Sequence, residues 1–166
     1  MKFKELYEAL CEVSDNDYKQ IKRTDRIVMS DTTSITPPNI PSSKQRIDFK
    51  PIGMWYGIGT EWVDWVRSEM SHWETDNVFK IDINPSKMLF IKNENDVIKL
   101  QEQYGVDKFG MGDYKIDWSL VAKDYSGIEF NPYHYALSRK YMWYYSIDVA
   151  SGCIWDKGAL KRAQAI

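Results

Sequence analysis

Two carboxylates that lie beside aromatic residues are the side chains of this sequence best suited to chemistry. Glu129 alternates with Ile128 and Phe130, a pattern that predicts a strand with the acid on the opposite face. Asp148 lies in the aromatic run 141–149 and precedes a Ser-Gly break. Each acid also has an ordinary interpretation, because a strand carboxylate usually faces solvent and an aspartate before a break often forms a turn. Both therefore remain candidates.

The sequence lacks the motifs of several other catalytic chemistries, and this absence disfavours them. His72 and His134 are its only histidines, and neither belongs to an HExxH motif or a cysteine–histidine cluster, so no metal site is expected. The sequence has no Gly-x-Ser-x-Gly elbow and no P-loop, and the Gly-Ile-Gly at 57–59 lacks the third glycine of a dinucleotide fingerprint. A nucleophilic Cys11 or Cys153 would need a histidine partner that the sequence does not place.

Residues 49–66 are the segment around which the predicted fold is organised. The apolar stretch 52–56 predicts a short buried strand. Gly57 and Gly59 are expected to end that strand and to let the backbone approach its neighbours closely. Thr60 is a suitable N-cap residue, so a helix is predicted to begin there.

Aromatic residues cluster in this strand–turn–helix segment. Trp55 and Tyr56 lie at the end of the predicted strand, and Trp62 and Trp65 follow at helical spacing. With Lys50 at the start of the strand, these rings could form a wall for a flat ligand. They could equally be core residues, with the glycines serving only as turns.

The order of predicted elements indicates an α+β fold, a single compact domain of short, mostly antiparallel strands with flanking helices. We expect an N-terminal helical segment at 1–24, an α+β core at 25–156, and a tail at 157–166 that frays. The proline-containing stretch 32–44 predicts a loop that either covers a site or only connects elements. Strands are predicted at 26–30, 52–56, 78–83, 88–91, 128–130, 141–149 and 153–155, and helices at 2–13 and after Thr60, Asn95 or Asp96, and Asp117.

The composition indicates which classes of protein are expected and which are not. The chain has 166 residues, 43% of them hydrophobic and 28% charged, as in globular domains. A net charge of -2 gives no overall attraction to nucleic acid or to an anionic membrane. No run of about 18 apolar residues is present, so no membrane association is expected. The first residues carry charges and have no uninterrupted apolar core, which disfavours a signal peptide and predicts a cytoplasmic protein with reduced cysteines.

The central segment resembles a known group of proteins. Lys50-Pro51-Ile52-Gly53-Met54-Trp55-Tyr56 is similar to a Lys-Pro-x-Gly-Leu-Trp-Tyr signature of uncharacterised phage and large-virus proteins. The blocks at 117–118, 125–129 and 148–155 look like further shared motifs, so that the resemblance covers about residues 49–155. The order of strand, glycine turn and aromatic helix also resembles, more weakly, the ADP-ribosyltransferase fold.

That second resemblance implies NAD as the donor substrate. ADP-ribose would be transferred to a host protein or nucleic acid, in the host cytoplasm if the chain is phage-encoded. Tyr56 would stack on the nicotinamide ring, with Trp55 or Trp62 bracing it, whereas Lys50 would contact phosphate or simply solvate the start of the strand. The positions implied to contact NAD are Arg26, Ser30, Lys50, Trp55, Tyr56 and Trp62.

The resemblance also implies an acidic residue that stabilises the ribosyl cation as nicotinamide leaves. Its usual place is a late strand, but the run 143–149 has no glutamate, so Glu129 or Asp148 would take the role. Two alternatives stay open. The chain could be a catalytically inactive module that binds a nucleotide or a host protein, or its rings could be core and its partner surface elsewhere. The sequence does not indicate an oligomeric state.

Overall fold

Ten strands and five α-helices make up the part of the chain that the structure, a computed structural model, describes, residues 20–166. The helix predicted at 2–13 and Cys11 lie outside this range. The strands are β1 (Arg26–Ser30), β2 (Ile47–Asp48), β3 (Met54–Ile58), β4 (Asn77–Ile83), β5 (Met88–Ile91), β6 (Gly105–Val106), β7 (Lys115–Asp117), β8 (Gly127–Phe130), β9 (Ser151–Ile154) and β10 (Leu160–Ala165). The helices are α1 (Gly59–Glu69), α2 (Glu94–Tyr104), α3 (Trp118–Asp124), α4 (Tyr135–Ser138) and α5 (Met142–Tyr145).

One seven-stranded sheet, in the order β10-β4-β1-β3-β9-β8-β5, carries the fold. Its neighbouring strands are antiparallel except for β5 and β8, which are parallel. The three short strands β2, β7 and β6 form a separate small sheet. The prediction of a single compact α+β domain with short, mostly antiparallel strands is therefore confirmed.

Both faces of the large sheet are buried, against different groups of residues. One face packs an apolar cluster that includes Val28, Tyr56 and Phe79. The opposite face carries the helices: Ile27 packs with Val63 of α1, and Phe130 packs with Trp143 of α5. Because successive strand residues point to opposite faces, neighbours in sequence contribute to different clusters.

The central strand lies two residues later than predicted, and the helix after it begins one residue earlier. β3 begins at Met54, and Gly57 lies inside the strand, where a Cβ would overlap the Trp62 ring. Gly59 has φ 57° and opens α1, so the helix begins one residue before Thr60 and without a side-chain cap. Close packing of the helix onto the strand therefore sets this junction, and the prediction of a Thr60 cap was wrong.

The aromatic run 141–149 is not a strand, which corrects the prediction. Met142–Tyr145 is a helical turn, with Trp143 and Tyr144 fully buried and Met142 and Tyr145 about 60% exposed. A strand would alternate buried and exposed residues, whereas two buried residues in succession fit a helix lying on a core. Aromatic residues favour strands only where a pleated surface exists to pack them, and tertiary packing decides here.

The last residues do not fray, contrary to the prediction for 157–166. Leu160–Ala165 pairs with β4 as the edge strand β10, and the Ile166 N–H donates to the Val78 carbonyl at 3.0 Å. This strand was not predicted because its sequence is polar, and an edge strand with one solvated side needs few apolar residues. The strand predicted at 153–155 is present as β9, which begins two residues earlier and lies between β3 and β8.

The remaining predictions hold closely. The strands at 26–30, 78–83, 88–91 and 128–130 are present, and Asp117 caps α3 by accepting a hydrogen bond from the Ser119 N–H. Asn93 caps α2, two residues before the predicted cap. Residues 32–44 are irregular apart from a short 3₁₀ turn and are fixed to the body through the Ile40 N–H, which donates to the Trp155 carbonyl. No helix in the described range is long and apolar enough to cross a membrane.

Candidate functional site

Four of the seven tryptophans line one cavity of about 550 Å³. They are Trp55, Trp62, Trp65 and Trp73. The remaining lining residues are Met29, Ser30, Asp31, Lys50, Tyr56, His72, Thr75, Ile147, Asp148, Val149 and Ser151. A cavity of this size, in which tryptophan rings lie beside several polar and charged groups, has the character of a small-molecule site.

Helix α1 and the turn that follows it build one wall. Trp62 and Trp65 are three residues apart and lie on the same side of the helix. The 3₁₀ turn Ser71–Trp73 then brings Trp73 back against Trp65, with ring centroids 5.9 Å apart and planes inclined by 60°. His72 packs edge-on against Trp73 at 5.9 Å. Gly57 lets the Trp62 ring lie directly on β3, and this contact anchors the wall.

The opposite wall combines β3 with the turn that leads into β9. Asp148 lies in this turn between the buried residues Ile147 and Val149, with φ 67°. Left-handed backbone is uncommon for a residue other than glycine, although aspartate tolerates it better than most. Such conformations occur more often at functional sites than elsewhere. The Lys50 ammonium lies 3.5 Å from Asp148 Oδ2 and 5.4 Å from the centroid of the Trp55 ring.

The remaining polar groups at the cavity are few. The Ser30 hydroxyl shares a hydrogen bond with the Thr32 hydroxyl at 2.8 Å, and the Ser151 hydroxyl donates to the Val149 carbonyl at 2.9 Å. Asp31 adds a second carboxylate to that of Asp148. The cavity therefore has two carboxylates against one lysine and one histidine, so it does not carry the excess of cations expected of a phosphate site.

A second polar cluster is built from Arg26, Tyr56 and Glu129. Glu129, 3% exposed, accepts two hydrogen bonds from the Arg26 guanidinium, Nε to Oε2 at 2.6 Å and Nη2 to Oε1 at 3.0 Å. The Tyr56 hydroxyl donates to the same carboxylate at 2.6 Å. Burial, together with the adjacent carboxylate, raises the pKa of Tyr56 well above its ordinary value. Burial opposes a charged Arg26, but the bonds to Glu129 outweigh it and raise the pKa of Arg26.

This polar cluster lies on the other face of the sheet from the tryptophan side of the cavity. Trp55 pairs in register with Cys153, whereas Tyr56 and Glu129 both pair with Gly152 on β9. Residues paired in register share a face, so the Trp55 ring and the Glu129 carboxylate point in opposite directions. A Cβ at Gly152 would overlap the Tyr56 hydroxyl, so this glycine is what lets the phenol cross β9 to reach Glu129.

The structure divides the residues predicted from the sequence into two groups. Ser30, Lys50, Trp55, Trp62 and Asp148 come together at the cavity. The two residues outside its lining are Arg26 and Glu129, which bind each other on the far face.

Tyr56 belongs to the cavity lining, but its side-chain hydroxyl is part of the polar cluster with Arg26 and Glu129. The residue is only 1% exposed, and its hydroxyl is held by Glu129. A ring buried in this way has no free face to offer a ligand. The expectation that Tyr56 stacks on nicotinamide is therefore corrected: the exposed rings of the site are tryptophans.

Several residues of the site were not predicted from the sequence. Trp65 was expected among the rings of a possible ligand wall but not among the residues that contact NAD, and His72, Trp73 and Asp31 were not predicted for the site. The spacing of Trp62, Trp65 and Trp73 was the available signal, since a helix followed by a tight turn can return the third ring to the first two.

Cys153 is not equipped for nucleophilic chemistry. It lies on β9 in the large sheet and is fully buried, and this burial raises the pKa of its thiol well above the ordinary value. Within residues 20–166, no group of three or more His, Cys, Asp or Glu side chains is arranged to hold a metal ion.

Searches against protein-family models, curated proteins and solved structures find no match to this chain.

Proposed function

We propose that the tryptophan cavity binds the planar ring of a nucleotide, with NAD as the ligand. The observation that carries this proposal is the convergence of four tryptophans on one cavity of about 550 Å³. Stacking of a base on an aromatic side chain is worth about 1–3 kcal/mol, so two such contacts can hold a ring at useful affinity. The ring would enter between Trp55 and the helix wall, and the phosphates would extend toward solvent, since the cavity offers them few cations.

Binding alone is one form of this proposal, a module that acts on a host by sequestering a nucleotide or presenting it to a partner. It requires no acid in the site. Trp65 and Trp73 would then be the residues whose loss matters most, because they pack against each other and complete the aromatic wall.

A mono-ADP-ribosyltransferase is the second candidate, and the position of Asp148 in the cavity favours it. In that reaction the bond between nicotinamide and the ribose carbon breaks, nicotinamide leaves with the bonding electron pair, and a nucleophile of a host protein or nucleic acid attacks the same carbon. A carboxylate beside the sugar stabilises the positive charge that grows there. Asp148 would have this role, because Glu129 is committed to Arg26 and Tyr56 on the other face.

The test is a titration of the protein with NAD, ADP-ribose and nicotinamide, following tryptophan emission, with nicotinamide release assayed in the same samples. Saturable binding without release supports the binding module, and binding with release that Asp148→Asn abolishes supports the transferase. Trp73→Ala should weaken binding by about 5- to 150-fold, the equivalent of one stacking contact. Phe109→Ala, which removes a 73% exposed ring outside the cavity lining, should leave it unchanged. No binding of any of the three ligands would overturn the proposal.

A further inference from the structure

The chain itself places a cation in the tryptophan cavity. The Lys50 ammonium lies over the face of Trp55, 5.4 Å from its centroid, and 3.5 Å from the Asp148 carboxylate. An indole face attracts cations through its ring quadrupole, and a neighbouring carboxylate adds to that attraction. The position of the ammonium therefore marks where the cavity wall favours positive charge.

Lys50 is held there only weakly. Its side chain is 40% exposed and that of Asp148 is 36% exposed, and the separation of 3.5 Å is long for a charge-assisted hydrogen bond. An exposed ion pair and an exposed cation–π contact contribute about 1 kcal/mol or less each. The four-carbon stem of lysine lets the ammonium swing into solvent without a change of backbone. A competing cation can therefore replace it at small cost.

Asp148, in contrast, is fixed. The buried residues Ile147 and Val149 hold it on either side, and the left-handed backbone sets the direction of its side chain. Asp31 supplies a further carboxylate at the same cavity. Once Lys50 moves away, the charged groups left at the cavity are two carboxylates, beside the tryptophan faces and the His72 imidazole, and this arrangement suits a cationic ring better than an anionic one.

We propose that Trp55 and Asp148 form a subsite for a planar organic cation of the pyridinium type, which Lys50 occupies until the ligand displaces it. This inference rests on the proposed function and refines it. It states that the charged ring of an oxidised nicotinamide nucleotide is the group recognised, and that Lys50 is a competitor of that ring instead of a phosphate ligand.

The experiment compares nicotinamide with 1-methylnicotinamide by isothermal titration calorimetry. The two molecules share the ring and the amide and differ in a methyl group and one positive charge. The cation should bind about three- to fivefold more tightly, as a cation–π contact at a partly exposed site predicts. Asp148→Asn removes one carboxylate but keeps the Trp55 face and Asp31, so it should lower the ratio without bringing it to one. Asparagine tolerates left-handed backbone, so this variant should keep the fold.

Lys50→Met tests whether Lys50 competes with the ligand or helps to bind it. It keeps a long apolar side chain and removes the charge, so binding of 1-methylnicotinamide should strengthen by about two- to fivefold. Lys140→Met is the matched control, because Lys140 forms an exposed ion pair with Glu94 and does not line the cavity. It should change nothing.

Three results would overturn the inference. Equal binding of the two ligands would remove the cation preference and leave NAD binding intact. Weaker binding of 1-methylnicotinamide by Lys50→Met would make Lys50 a ligand group. Failure of both molecules and of NAD to bind would overturn the subsite together with the proposed function.

Discussion

Glu129 shows how an acidic residue with an apparent catalytic position can serve structure instead. Its carboxylate accepts three hydrogen bonds, two from Arg26 and one from Tyr56. These contacts connect β1, β3 and β8 across the sheet. A buried carboxylate that keeps a charged partner avoids the large cost of an isolated buried charge. We therefore interpret the cluster as a link between strands on the face opposite the tryptophans.

Glu129→Gln is expected to destabilise the fold and to leave ligand binding unchanged. The amide has no charge to pair with Arg26 and cannot accept all three hydrogen bonds, so the free energy of unfolding should fall by about 2–3 kcal/mol. The measurement is urea denaturation, followed by a titration with NAD under conditions where the variant is folded. Loss of NAD binding or turnover with unchanged stability would instead place Glu129 at the functional site.

Tyr56 is expected to make the stability of the fold depend on pH in the alkaline range. The pKa of Tyr56 is raised in the folded protein, whereas an unfolded tyrosine titrates near 10. The associated stability is fully present below about pH 10 and is lost as pH rises above it, because only the unfolded chain then releases the proton. Between pH 10 and the folded pKa, the wild type should lose up to about 1.4 kcal/mol per pH unit more than Tyr56→Phe.

Denaturant midpoints of the wild type and Tyr56→Phe at pH 9, 10 and 11 test this expectation. Tyr104 and Tyr133, whose pKa values burial raises to about 12, are common to both proteins and cancel in the difference. A constant difference between the two proteins across this range would show that the Tyr56 phenol is not linked to folding.

At the scale of elements, the contact of α1 with β3 determines the shape of the cavity. Gly57 lies under the Trp62 ring, and an alanine there would overlap that ring. Gly57→Ala should therefore push the helix wall outward and weaken NAD binding by about 5- to 150-fold, as the loss of one stacking contact predicts. It should also cost about 1–3 kcal/mol of stability through overpacking.

Gly110→Ala is the control for this change. Gly110 has φ 65°, and a Cβ there would meet no atom within 4 Å, so only backbone strain of about 1–2 kcal/mol is added. Its NAD affinity should equal that of the wild type. If Gly57→Ala bound NAD as tightly as this control, the Trp62 ring would not be part of the binding wall.

What the sequence could predict differs between elements for physical reasons. β4, β5 and α3 were predictable because alternation, a short apolar run and a capping aspartate are local signals. The segment 141–149 was not, since Trp143 and Tyr144 satisfy both a strand pattern and the buried side of a short helix. At the site, Trp55, Lys50 and Trp62 are close in sequence and were predicted together. The separation of Glu129 from Asp148 depends on strand register, which no local pattern records.

At the scale of the whole molecule, β10 protects the edge of the large sheet. It covers β4, whose buried side chains include Val78, Phe79 and Ile81. Its own outward positions, among them Lys161 and Arg162, are exposed and charged, which disfavours further pairing with another chain. The sheet therefore ends in a strand adapted to solvent.

Deletion of residues 160–166 should expose the edge of β4 and cause self-association. The unpaired backbone groups of an apolar strand are a template for pairing with another chain. Analytical ultracentrifugation at several concentrations would detect this, with Lys161→Ala in the full chain as a control that keeps the strand. A monomeric truncated protein with an unchanged melting temperature would show that β10 contributes little.

The arrangement of the tryptophans also has an optical consequence. Trp118, Trp143 and Trp155 are at most 1% exposed, so only the four indoles of the cavity are accessible to an added quencher. Trp65 and Trp73, with centroids 5.9 Å apart and planes at 60°, are close enough for their electronic transitions to couple. The circular dichroism of such a pair depends on the angle between the rings. The protein therefore contains an intrinsic chromophore whose spectrum reports the geometry of the cavity without any label.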